Sequence, residues 1–187
     1  LNNSLGAIYI VRDPRNVVTS YAHHNSISIK ESAERMINSI NYGGNLESDN
    51  ISDRTKVYMG SWSSNFNSWK SFKSPGKYLL VKYEDLVNDK EKILYQILNF
   101  IHKLKKINLS IDKRKFNNTI NSTSFEKLKD LEKKEGFIES KVNIKTGKKI
   151  PFFNLGSKNN WKNILEDEIR KKIEESFKKE MIELGYL

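Results

Sequence analysis

The chain has 187 residues, 30% of them charged and 37% hydrophobic, with three prolines and nine glycines, which suits one globular domain and excludes collagen-like and low-complexity classes. Cysteine is absent, so disulfides, thiolate catalysis and cysteine-ligated metal centres are excluded, and His23, His24 and His102 lack metal-binding spacing. The net charge of +10 favours anionic partners.

No run of about 18 apolar residues occurs, so no membrane-spanning helix is predicted. The basic residues alternate with acidic ones, as in Glu126-Lys127-Leu128-Lys129-Asp130, and read as solvated helix faces rather than a nucleic-acid surface.

The first element is the apolar run Ala7-Ile8-Tyr9-Ile10-Val11, which lacks alternation and reads as a strand buried on both faces inside a parallel sheet. Such a strand needs neighbours. With Leu1 in place of an initiator Met, those neighbours are expected upstream, making this the C-terminal part of a longer protein; a processed N-terminus is the competing explanation. Asp13-Pro14 then opens a helix through about Tyr21, with Asp as N-cap and Pro at the first turn. A second helix is predicted over about 30–42, ended by Gly43-Gly44, with a surface loop over 45–54.

Tyr58, Trp62, Phe66 and Trp69 recur at helical spacing and predict a helix over about 57–72 whose aromatic face packs in the core rather than forming a ligand cage. Ser74-Pro75-Gly76 breaks the chain before a strand at Tyr78-Leu79-Leu80-Val81. A helix over about 90–103, capped by Asn88 or Asp89, carries the stripe Ile93, Leu94, Ile97, Leu98 and Ile101. Phe116 and Ile120 mark a short helix, and Ser122 to Ser124 can cap another from about Phe125. Residues 134–162 read as a long functional loop. Ile169, Ile173, Phe177, Met181 and Leu184 form one amphipathic helix ended by Gly185.

Strands alternating with helices predict an open α/β sheet covered on both faces, with ligands bound beyond the strands' carboxyl ends. Arg12 and Tyr83 each follow a strand there and should face the same crevice. Arg12 also adjoins a helix N-terminus, where N–H groups and the dipole favour a phosphate, and Ser20, about two turns on, can add a hydroxyl donor. A capped, ion-paired helix start is the plainer reading of Arg12-Asp13-Pro14 alone.

The segment from Ile8 through Arg12-Asp13-Pro14 to Ser20-Tyr21 resembles the 3′-phosphate-binding segment of cytosolic-type sulfotransferases, which use 3′-phosphoadenylyl sulfate. Gly60-Ser61-Trp62 with Trp69, Leu80-Val81-Lys82-Tyr83-Glu84-Asp85-Leu86, Thr123-Ser124-Phe125, Gly156 with Trp161-Lys162-Asn163, and Phe177 to Gly185 resemble later segments in the same order. The resemblance spans essentially the whole chain. It implies a P-loop-NTPase-like parallel sheet flanked by helices, a single truncated domain over 1–187, and a 5′-phosphosulfate loop and catalytic histidine expected upstream. By itself the chain is then expected to be inactive.

By the same resemblance, Arg12 and Ser20 hold the 3′-phosphate, Tyr83 sits beside adenine, Thr123, Ser124 and Phe125 pack around the nucleotide, and Gly156 permits close backbone approach. It implies sulfuryl transfer to a small-molecule, glycan or peptide hydroxyl or amine, leaving adenosine 3′,5′-bisphosphate. The histidine spacing points to no metal, the ordered motifs to no nucleic-acid partner, and the lack of cysteine and of an apolar span to a cytoplasmic location. The alternative is a non-catalytic module that binds the bisphosphate. Asn154-Leu155 stands where the family usually has Arg-Lys, with Lys158 or Lys162 nearby to compensate, and Glu166-Asp167 replaces Thr-Val of the family's dimer motif. His23 and His24 read as structural.

Overall fold

The computed structural model describes residues 4–42, 44, 47, 55–71, 76–143 and 146–187. Most of the expected surface loop at 45–54, Gly43, and the break at Ser74-Pro75 lie outside them. The chain divides into two compact units, one of Leu1–Arg12 with Phe72–Asn159, the other of Asp13–Ser71 with Asn160–Leu187.

In the first unit β1 (Ala7–Val11) runs parallel to β4 (Tyr78–Lys82), with Ala7 opposite Tyr78 and Val11 opposite Lys82. Helices α4 (Tyr83–Asn88) and α5 (Lys90–Lys105) follow β4 and pack against it. Asp89 caps α5 by accepting from the Lys92 amide at 3.0 Å. Asp112 likewise caps α6 (Lys113–Ser122), and α7 (Phe125–Glu135) follows from Ser124. The expectation of a strand buried on both faces needs correction: Ile8 is 38% and Ile10 51% exposed. Ile8 and Ile10, two residues apart, point to one face of the sheet, and nothing among the described residues fully covers them there.

The second unit holds α1 (Pro14–Asn25), α2 (Ile29–Ile37), a ribbon of β2 (Ile40–Tyr42) and β3 (Val57–Met59), α3 (Trp62–Lys70), α8 (Trp161–Ile164), α9 (Asp167–Ser176) and α10 (Lys178–Glu183). Val18, Ala33, Met36, Ile173, Phe177 and Met181 form its core. Trp62 packs on Phe177 at 5.2 Å and stacks on Phe66 at 6.2 Å. Ser32, buried in α2, donates to the Val18 carbonyl at 2.7 Å and so satisfies its hydroxyl inside apolar surroundings.

Three element expectations change. The second helix stops at Ile37 because Asn38 is extended, and Ile40–Tyr42 pairs antiparallel with Val57–Met59. Tyr58 therefore belongs to a strand, 67% exposed, and the aromatic helix starts only at its Ser61 cap. The final helix is two, broken at Phe177, whose backbone leaves helical geometry; Gly185 does take the left-handed conformation at φ 69°.

Candidate functional site

Val11 and Lys82 are partners at the carboxyl ends of adjacent parallel strands, so the next residue on each, Arg12 and Tyr83, emerges side by side. The Arg12 guanidinium lies over the Tyr83 ring, 4.3 Å from its centre. Stacking of this kind orients the guanidinium without using its N–H donors. Arg12 Nε is buried and has no hydrogen-bond partner. A buried donor without an acceptor costs free energy, which makes Arg12 Nε, beside an aromatic ring, a candidate binding group. Tyr9, back in β1, has its phenol pushed up to about 12 by burial and by Tyr78, and stays protonated.

The later predicted residues gather at the start of α7. Thr123 caps the end of α6, its hydroxyl donating to the Thr119 carbonyl at 2.7 Å while its own carbonyl accepts from Lys90 Nζ at 2.8 Å. Ser124 occupies the N-cap position of α7 without a side-chain capping bond. Phe125 meets Phe153 edge-on at 6.2 Å. Gly156 has φ 57°, and a Cβ placed on it would lie 2.8 Å from three Phe125 ring atoms, so only glycine lets this backbone lie against the ring.

The expected irregular loop over 134–162 is more ordered than its composition suggests. It contains a ribbon of β5 (Lys141–Val142) and β6 (Lys149–Ile150), a 3₁₀ turn at Gly156–Lys158 and α8. Sequence reading missed the groups that hold it. Glu132 on α7 is buried and accepts from the Phe152 and Phe153 amides at 2.6 and 2.9 Å and from the Ser140 hydroxyl. Burial raises the Glu132 carboxyl, but these donors outweigh it and hold the group below the ordinary glutamate range. Lys129 donates to the Asn154 carbonyl at 2.9 Å, bringing a cation from α7 to this loop. The available signal was the spacing of Phe125, Lys129 and Glu132, four and then three residues apart on one helix face.

Ser20 lies in the second unit, exposed on α1. There the helix start is already capped: Asp13 accepts from the Arg15 amide at 2.9 Å. It pairs with the Arg15 side chain at 2.8 Å, while Arg15 also pairs with Glu174 at 2.7 Å and donates to the Tyr186 carbonyl at 2.8 Å. Trp161 lies under the Arg15 guanidinium at 4.0 Å. Burial would lower the Arg15 pKa, but its bonds to Asp13 and Glu174 raise it. His23 and His24 occupy the last turn of α1. Lys162 lies 5.7 Å over Trp161 in the same unit.

The sulfotransferase domain family model matches residues 1–185. Rat Sulfotransferase 2A2 is 24% identical over 83% of this chain and 49% of its own length, and dog Sulfotransferase 1B1 is 24% identical over 96% and 55%. The chain thus spans about half the length of these relatives. Among solved structures, mouse sulfotransferase SULT7A1 complexed with PAP is 18% identical with a TM-score of 0.55, covering 94% of this chain and 58% of that one. Retinol dehydratase in complex with androsterone and inactive cofactor PAP is 16% identical with a TM-score of 0.62, covering 94% and 47%. These likenesses show the fold, a parallel sheet flanked by helices, and the family match shows the lineage: the chain belongs to the sulfotransferase domain family.

Proposed function

We propose that the chain supplies the 3′-phosphate and adenine part of a 3′-phosphoadenylyl sulfate site, in a protein that transfers a sulfuryl group to a hydroxyl or amine acceptor. The observation that carries this reading is the buried Arg12 Nε, without an acceptor, in a guanidinium stacked on Tyr83. A planar multi-donor fork suits a phosphate, and an aromatic platform suits a base. Phe125 and Gly156 fit the same ligand, since the ring offers a second apolar wall and the bare glycine lets backbone approach closely. Thr123 and Ser124 add hydroxyls at the start of α7, and Ser20 is assigned to the 3′-phosphate on the sequence resemblance.

The bound cofactor would supply the activated sulfuryl group; the residues named here bind and orient its nucleotide. The acceptor is of the small-molecule, glycan or peptide class. No helix among the described residues is long and apolar enough to cross a membrane.

Calorimetry with adenosine 3′,5′-bisphosphate against adenosine 5′-monophosphate tests the reading. A 3′-phosphate pocket binds the bisphosphate at least about tenfold more tightly, the worth of one charge-assisted contact. Equal affinity for the two nucleotides rejects it.

A further inference from the structure

Residues Pro151 to Leu155 connect β6 to the turn at Gly156 and belong to no helix or strand, so their backbone donors must find partners outside a regular ladder. The Phe152 and Phe153 amides both find the same one. Glu132 Oε1 accepts from Phe152 at 2.6 Å and Oε2 from Phe153 at 2.9 Å, while Oε1 also takes the Ser140 hydroxyl. An ionised carboxylate is an acceptor with room for all three donors, and Glu132 is 5% exposed, so water does not compete. Its helix neighbours extend the grip. Lys129 holds the Asn154 carbonyl, Phe125 meets Phe153, and Gly156 lies against Phe125. Phe137 closes the back of the loop, 5.0 Å from Phe152 and 5.3 Å from Phe153.

We infer that Glu132 is a positioning residue for the nucleotide site, clamping the 151–155 loop to α7 so that the Gly156 backbone is held against Phe125. The carboxylate need not touch the ligand. It acts through two amides that stand three and four residues before Gly156, fixing a segment whose course would otherwise be free. This inference rests on the nucleotide reading proposed above.

The test combines amide exchange with affinity for adenosine 3′,5′-bisphosphate in Glu132→Ala and Glu132→Gln. Removing the carboxylate should abolish exchange protection at Phe152 and Phe153 and weaken bisphosphate binding at least about tenfold, as expected for lost charge-assisted bonds. Glutamine keeps one acceptor oxygen and should lose about threefold on the same scale. Glu180→Gln is the stability control: it alters a comparably buried carboxylate in the other unit, and should lower Tm while leaving affinity within about twofold. If Glu132→Ala does not fold, the Gln variant carries the test. Affinity within about twofold of wild type in a folded Glu132 variant, or an equal loss in Glu180→Gln, overturns the inference alone. A wild-type protein that ignores the bisphosphate overturns the nucleotide reading and this inference together.

Discussion

Arg12 and Arg15 stand three residues apart, yet one directly follows the first unit's opening strand and the other lies in the first turn of the second unit's opening helix. Arg15 is 6% exposed and engages Asp13, Glu174 and the Tyr186 carbonyl, with Trp161 beneath it. Arg12 is stacked on Tyr83 with a buried Nε that has no partner. The difference separates two uses of one side chain. A guanidinium whose donors are consumed by the protein holds elements together, whereas one oriented by a ring with a donor left over suits the ligand role proposed for it.

The sharpest way to break this contrast is Arg15→Ala. It removes the guanidinium from the buried Asp13 carboxylate, and loss of one partner from a buried ion pair costs about 3–5 kcal/mol, to be read from urea unfolding. Arg15→Lys recovers only part of that, because an ammonium lacks the fork. A cost below about 1 kcal/mol would place Arg15 among surface pairs and remove its structural role.

Arg12→Ala should show the opposite pattern. Bisphosphate binding should weaken by about 1.5–3 kcal/mol and its advantage over the monophosphate disappear, while folding stability falls by only about 0.5–1 kcal/mol from the lost cation–π contact. An Arg12 variant that unfolds readily, or that keeps the preference, would make the two arginines alike.

Gly156→Ala sharpens the comparison on the ligand side. Left-handed backbone and a Cβ 2.8 Å from Phe125 should together cost roughly 1–3 kcal/mol in unfolding experiments. Adding Phe125→Ala should relieve the steric share, so that the double variant costs less than the sum of the two. Strict additivity would mean that glycine and ring do not press on one another.

The smallest effect concerns pH. Glu180 is raised by burial but lowered further by Asn67 and Ser63, which donate to it at 2.8 and 3.0 Å, so its folded pKa lies below the unfolded value. Glu132 is shifted in the same direction. A depressed carboxyl contributes stability that is present above the unfolded pKa, about 4.3, and is lost as pH falls through the folded value. Unfolding free energy should therefore be flat near neutrality and decline in the acid range, less steeply in Glu180→Gln. An equally steep decline would show that Glu180 is not a source of the acid lability.

The placement of two candidate site residues was legible because it depends on local signals. An apolar run ending in Arg12 and another ending at Tyr83 place two residues at strand ends, and parallel pairing brings such ends together. Asp13-Pro14 announced its helix through capping chemistry alone. Tyr58 was misread because aromatic spacing near four suits a helix, while the competing strand depends on Ile40–Tyr42, distant in sequence. Glu132 was hidden for a related reason. In a Lys- and Glu-rich helix an acidic residue looks like solvated surface, and only the returning loop with its two amides makes it a buried acceptor.

The sequence by itself determined the parallel strand–helix plan and several of the helix starts, because capping and apolar runs act within a few residues, and its resemblance to the family named the residues proposed to meet a nucleotide. Only the tertiary structure decided which charges are spent and which are held ready. Asp13 and Glu174 consume Arg15, Glu132 is consumed by a loop about twenty residues away, and Arg12 keeps a buried donor, since desolvation and hydrogen-bond satisfaction depend on what the fold brings alongside.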